Sequence, residues 1–379
     1  MTIAFFSNFL NHHQVFVADE LYRQTGSNYV FVETIPMPEW IVKSGYPDYS
    51  TRPYIVQAWK GDDEMKKAKA LSISADVALF AGFEVLEFEK IRIARTNKLT
   101  FDVSERWLKR GIVNVVSPRI LRLFLAYHLG GWRRKPVYKL CSSAFAASDQ
   151  LELCTYKNRC YKWGYFTSVP DEPIFRNKIA SDQVIRIMWC ARFLWWKHPE
   201  LTIQLAARLK ADGYKFVIDV FGTGEKSDEI KALASKLQVE NFVMFKGNKP
   251  NHEILQEMHN HDIFILTSDK NEGWGAVANE AMSQGCMVIG SDEIGSIPYL
   301  VKDGETGLLF KSRSIDSLYE KVKWSLDNPS EISRIANKGM QNMIDNWSPK
   351  VAAQNLIRLI ILLSEDKDTD IMDGPCSKA

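Results

Sequence analysis

The chain has no Cys-x-x-Cys pair and no cluster of cysteine with histidine; its six cysteines stand apart at 141, 154, 160, 190, 286 and 376. That spacing excludes a zinc-finger ligand set and a dense disulfide scaffold, and predicts reduced thiols of the cytosolic kind. No run approaches the roughly 18 apolar residues of a membrane-spanning helix. The nearest, Leu356 to Leu363, is short and contains Arg358. The apolar start, MTIAFFSNFLNHHQ, has no Lys or Arg ahead of it and passes into histidines, so it reads as a first strand rather than a signal peptide. Net charge is nearly absent too: 48 Lys and Arg against 46 Asp and Glu leave +2, and bulk charge names no partner. Near the end, Cys376-Ser377-Lys378-Ala379 puts a lysine where prenylation needs an aliphatic residue.

What is present is ordinary in amount and informative in order. A chain of 379 residues with 46% hydrophobic and 25% charged side chains fits two soluble globular domains. Short apolar, β-rich runs alternate with helical patterns, the signature of parallel sheets covered by helices. Strands are predicted at Thr2–Ser7, Tyr29–Glu33, Tyr54–Ala58, Val77–Ala81, Leu99–Val103 and Val137–Ser142. A second series follows at Val184–Cys190, Phe216–Phe221, Phe242–Phe245, Ile263–Thr267 and Met287–Gly290. The polar segment Ser168-Val169-Pro170-Asp171-Glu172-Pro173 between them fits a linker. The fold class is therefore α/β, with doubly wound domains at 1–166 and 176–345 and a linker at 167–175. A further helical stretch spans 346–364, and a charged tail at 365–379 is expected to be disordered.

The segment Asp262 to Gly295 carries the densest chemistry. A buried strand ends at Thr267, Gly273 and Gly275 allow close backbone approach, and Ala276 to Gln284 reads as a helix closed by Gly285. The N–H groups of Gly275, Ala276 and Val277 would suit a diphosphate, flanked by Glu272 and Glu280, whose carboxylates accept hydrogen bonds from sugar and ribose hydroxyls. Arg192 and Lys197 follow the first strand of the second series. In open α/β sheets ligands bind beyond the strands' carboxyl ends, so these cations would face the same ligand and neutralise a leaving diphosphate without a metal. The sequence has no convincing paired-Asp metal site, and Trp195 and Trp196 read as packing residues. Phe221-Gly222-Thr223-Gly224-Glu225 lets the backbone approach a ligand, but Ser227 stands where a dinucleotide fingerprint needs glycine.

These pieces in order, ARFLWWKH, FGTGE, NEGWGAVANEAMSQG and GSIPYLVKDGETGLLF, resemble the retaining glycosyltransferases of family 4, of the bacterial surface-polysaccharide type. The resemblance implies the GT-B fold: two Rossmann-like domains facing a central cleft, with a C-terminal helix crossing back to the first. It implies that Arg192 and Lys197 contact the donor diphosphate, Glu272 the transferred sugar and Glu280 the ribose. Gly273, Gly275, Ala276 and Val277 would serve the phosphates, with Gly222, Gly247 and Asn248 also on the donor side. The first half departs from the family pattern, with Asn8 to Gln14 replacing a glycine-rich loop. His13 there would face donor or acceptor, or else cap a helix or lie on the surface. Glu105 would orient the acceptor hydroxyl or support charge at the anomeric carbon. Family resemblance further implies attack on the front face of the sugar, the departing phosphate taking the proton.

From Arg106 to Leu140 there are nine Lys or Arg and no Asp or Glu. The cations, interleaved with Trp107, Ile120, Leu121, Leu123, Phe124, Leu125, Tyr127, Leu129 and Trp132, read as a basic amphipathic surface for an anionic membrane. Arg119, Arg122, Phe124, Trp132, Arg133, Arg134 and Lys135 are the expected docking residues. A groove for an anionic soluble acceptor and a plain solvated face are the alternatives, and no nucleic-acid-binding module accompanies the charge. The expectation is a glycosyltransferase using a nucleotide-sugar donor, most simply a UDP-sugar, with no cofactor and no metal. Its acceptor is lipid-linked or a polysaccharide precursor, and its place is cytoplasmic, peripheral to the inner membrane face. A nucleotide-sugar epimerase of the same fold and a non-catalytic sugar-nucleotide-binding membrane scaffold are the rival readings.

Overall fold

The computed structural model describes the chain apart from residues 40, 42–46, 171, 174 and 178–182. Positions 171 and 174 of the expected linker, and 178–182 at the start of the expected second domain, lie outside the described residues.

Strands β1 (Ile3–Ser7) and β4 (Val77–Ala81) are buried along their whole length. Parallel strands covered by helices on both faces have no solvent side, which is why these read as unbroken apolar runs rather than alternating ones. With β2 (Tyr29–Glu33), β3 (Ile55–Gln57), β5 (Thr100–Ser104), β6 (Val137–Cys141) and β7 (Cys160–Lys162) they form a parallel sheet of order β3-β2-β1-β4-β5-β6-β7. A second sheet, of order β10-β9-β8-β11-β12-β13, contains β8 (Ile185–Cys190), β9 (Phe216–Phe221), β10 (Val243–Gly247), β11 (Ile263–Leu266), β12 (Met287–Ser291) and β13 (Leu308–Phe310). Both windings are of the Rossmann kind, and in each the order reverses beside the unit's first strand. β3, β7 and β13 have three residues each; β3 lies inside the longer run Tyr54–Ala58 read from the sequence, whereas β7 and β13 are absent from that reading.

The chain divides into two compact units, 168–347 and the discontinuous 1–167 with 348–379. The helix Pro349–Ser364 belongs to the first unit and packs against the helix Val15–Thr25. Ser348 caps it by accepting from Val351 N at 3.3 Å, and Ala352, Ala353, Leu356, Leu359 and Ile360 form its buried stripe.

The tail corrects the expectation of disorder. Cys376 N donates to Lys162 O at 2.7 Å, Lys162 N to Ser377 O at 2.8 Å, and Ala379 N to Cys160 O at 3.2 Å, so the last residues run antiparallel along the edge of β7. Its acids, which composition alone reads as solvated, pair with the same edge: Lys162 with Asp373 at 3.1 Å and the Tyr161 hydroxyl with Asp368 at 2.9 Å. Cys376 is wholly buried.

The basic segment also sorts differently from expectation. Trp107, Ile120, Leu123, Tyr127 and Trp132 are buried in a cluster that Phe124 packs against, so Trp132 and Phe124 serve the first unit's core rather than a membrane. Lys139 is fully buried, with Nζ 2.8 Å from Asp102 and over the Trp107 ring. Lys135 donates to Thr96 O and Asn97 Oδ1. Arg110, Arg122, Arg133 and Arg134 remain exposed. Among the described residues no helix is long and apolar enough to cross a membrane.

Candidate functional site

A doubly wound sheet opens a crevice where its winding reverses, beyond the carboxyl ends of the two diverging strands. In the second unit those strands are β8 and β11. The loop after β8 is held against β11 by a chain of hydrogen bonds. Trp189 Nε1 donates to Thr267 Oγ1 at 2.8 Å, Thr267 Oγ1 to Lys197 O at 2.5 Å, and Asp269 N to Trp196 O at 3.0 Å. The result is an ion pair between Lys197 and Glu272, which also accepts from Ser268 Oγ at 3.1 Å. Beside it, His198 bonds Glu200 at 2.7 Å through Nδ1 and Asp269 at 3.2 Å through Nε2. Burial works against charge on this ring, but the two carboxylate hydrogen bonds turn its pKa upward.

Gly275, at φ +84, turns the chain just after Glu272; a Cβ there would stand 3.3 Å from Glu272 Cγ and 3.0 Å from Ile294. The helix that follows, Val277–Ser283, is shorter than the sequence pattern suggests and starts one residue later. It carries Glu280, which is 8% exposed and accepts from Asn251 Nδ2 at 3.0 Å. Burial pushes the Glu280 carboxyl up to about 7. Asn251 escaped the sequence reading because it lies on another helix, far upstream of its partner. Gly273 is buried in the same turn.

Gly222, expected on the donor side, has a structural reason to be glycine: at φ +115, a Cβ would meet Ala191 O at 2.0 Å. Its N donates to Gly247 O at 2.8 Å, and Asn248 Nδ2 donates to Thr223 Oγ1 at 2.8 Å, so these residues tie the loops after β9 and β10 together. Arg192 is exposed and has no ion pair among the described residues. Trp195 is 49% exposed, contrary to the packing role expected for it.

The first unit has its own crevice, a cavity of about 550 Å³ lined by the loops after β1 and β4 and by Glu105, Lys109, Arg119 and Tyr165. His13 and Glu105, distant in sequence, come together here. The His13 ring stacks on Tyr165 at 5.2 Å, and the Tyr165 hydroxyl donates to Glu105 Oε1 at 2.8 Å. Glu105 is also paired with Lys109 at 2.8 Å. His13 neither caps the helix Val15–Thr25, which starts after Gln14, nor lies free on the surface; burial, and then His12, hold its pKa well below the usual histidine value. Arg119, expected at a membrane, lies in the cavity wall with its guanidinium 3.2 Å from the Phe83 ring centroid. Among the described residues no group of three or more His, Cys, Asp or Glu side chains is placed to hold a metal ion.

Residues 171–342 match the family described as glycosyl transferases group 1. The chain is 27% identical over 182 residues to a putative colanic acid biosynthesis glycosyltransferase, WcaL, of Salmonella typhimurium, covering 47% of this chain and 43% of that protein. It is 34% identical over 154 residues to a D-inositol 3-phosphate glycosyltransferase of Corynebacterium aurimucosum, covering 39% and 36%. The chain thus spans less than half the length of these curated relatives. Among solved structures, HepE of Anabaena in complex with UDP and glucose matches with a TM-score of 0.70 at 15% identity, over 96% of this chain and all of that one. The two sheets have the architecture of GT-B proteins, and the second unit of this chain, with its Lys197 and Glu272 site, is a glycosyl transferase group 1 domain.

Proposed function

We propose that the protein transfers a sugar, with retention of configuration, from a nucleotide-sugar donor to a lipid-linked or polysaccharide-precursor acceptor at the cytoplasmic face of the membrane. The observation that carries the reading is the Lys197 and Glu272 pair, held at the strand ends of a group 1 domain with Glu280 buried nearby. A UDP-sugar is the proposed donor, supported by the UDP and glucose named for the HepE complex.

In this reading Arg192 and Lys197 take up the charge that develops on the diphosphate as the bond from the sugar's anomeric carbon to phosphate breaks. Glu272 accepts from the sugar's hydroxyls and Glu280 from the ribose. The acceptor oxygen bonds to the same face of the anomeric carbon, and its proton passes to the departing phosphate, so no protein base is needed. No metal is called on, because two cations supply the neutralisation. The cavity with His13 and Glu105 is the acceptor's place, Glu105 orienting its hydroxyl.

Calorimetric titration with UDP, GDP and ADP tests the donor. The expected result is binding of UDP that weakens at least ten-fold in Arg192→Ala. Equal binding by that variant, or no binding of any of the three, overturns the reading.

A further inference from the structure

We propose that the cavity of the first unit holds the phosphate of an amphiphilic acceptor, with Arg119 as its anion-binding residue and the apolar strip Ile112 to Leu125 as the bed for its hydrocarbon chain. The inference rests on the transferase reading and names the acceptor's chemical class.

Three cations line the cavity, and two are already neutralised. Arg106 Nη2 lies 2.9 Å from Asp149, and Lys109 pairs with Glu105 at 2.8 Å. Arg119 has no ion pair among the described residues and is steadied only by the exposed Phe83 ring. The wall therefore carries one guanidinium without a direct ion pair among the described residues, and its forked donors fit phosphate oxygens. Burial lowers the Arg119 pKa, although the more distant Asp102 and Glu105 carboxylates oppose the shift, and this marks a cation short of solvent. His13 Nδ1 is buried in the same cavity without a hydrogen-bond partner among the described residues, a second polar atom that a ligand would satisfy. The cavity's volume is that of a small-molecule site.

The apolar half follows directly in the chain. Ile112, Val113 and Val116 are 59%, 69% and 76% exposed, and Leu121 and Leu125 about 40%. Between them stand Ser117, Arg119 and Ile120, all in the cavity wall. Ser117 caps the helix Pro118–His128, whose Ile120, Leu123 and Tyr127 are buried, so the helix already has its core face and Leu121 and Leu125 lie on the other. Exposed apolar side chains grouped this closely mark an interaction surface. An anion site that continues into such a strip matches a headgroup joined to a lipid chain, which neither a free sugar nor a soluble anion would use in full.

The test is titration of the full-length protein, with UDP saturating throughout, by farnesyl diphosphate, inorganic diphosphate and farnesol. Farnesyl diphosphate is expected to bind at least ten-fold tighter than either other probe. Arg119→Ala should lose at least ten-fold of that affinity while leaving UDP binding and melting temperature unchanged. The surface variant Leu121→Ser with Leu125→Ser should bring farnesyl diphosphate down to the affinity of inorganic diphosphate. Equal binding of farnesol, equal binding of inorganic diphosphate, or an inert Arg119→Ala overturns the proposal. UDP binding without farnesyl diphosphate binding sinks this inference alone. Arg119-dependent farnesyl diphosphate binding without UDP binding supports the site and sinks the transferase reading.

Discussion

Lys197 and Glu272 form an ion pair that joins the loop after β8 to the loop after β11. Neither loop could hold its charge in place alone. Lys197 is fixed through its own carbonyl by Thr267, and Glu272 by Ser268. The pair is expected to act as one unit, so Lys197→Ala, Glu272→Ala and the double variant should each lose on the order of a hundred-fold in turnover. Steady-state transfer kinetics decide the point; losses that multiply in the double variant would show two independent residues.

Glu280 should make both stability and donor binding depend on pH. Its carboxyl has a pKa raised to about 7 in the fold, against an ordinary value of 4.5. The native state therefore holds a proton that the unfolded chain has released between those values, and stability falls as pH rises from about 4.5 to about 7 and then levels. The full effect is about 3 kcal/mol. Denaturant titrations at pH 5 and pH 8 should show this loss in the wild type and not in Glu280→Gln. UDP affinity should rise between about pH 6 and about pH 8, as the carboxylate forms, and the variant should lack that rise.

The nine cations of the basic segment should separate by experiment into those that serve the fold and those that meet solvent. Replacing Arg122, Arg133 and Arg134 together by serine should weaken binding to phosphatidylglycerol vesicles by on the order of a hundred-fold, at roughly 1 kcal/mol for each charge, and flatten its salt dependence. Lys139→Met should leave vesicle binding alone but withdraw the cation from Asp102, which keeps the Tyr156 hydroxyl at 2.9 Å, costing about 3 kcal/mol of stability. Vesicle sedimentation and chemical denaturation together check both halves.

Removing residues 374–379 should destabilise the first unit by about 2 kcal/mol, because it uncovers the backbone of β7 and withdraws the buried Cys376. Hydrogen exchange should show the loss of protection at Cys160 to Lys162 first. Unchanged exchange there would mean that the tail only rests on the edge.

The sheet frame was legible because each long strand is a short apolar run bounded by turn residues. Glu272, Lys197 and Glu280 were legible because glycines and strand ends surround them. What the sequence concealed depends on partners distant in the chain. Asn251 reaches Glu280 from a neighbouring helix. The tail's acids look solvated until Lys162 and Tyr161 are brought beside them. Arg119 sits in a run of cations whose shared composition hides that three line a cavity, one is buried and four face water. Glycine at 222 read as a ligand contact, yet the carbonyl of Ala191 is what excludes a side chain there.

The antiparallel stretch on β7 also orders events during synthesis. A ribosome releases β7 long before Gly374, and at roughly 5 to 20 residues per second the delay is on the order of ten seconds or more. During that interval the entire second unit emerges and has time to fold, while the first sheet waits with an unpaired edge of the kind that invites association with another chain. The half of the protein that is made first is therefore the half that is finished last.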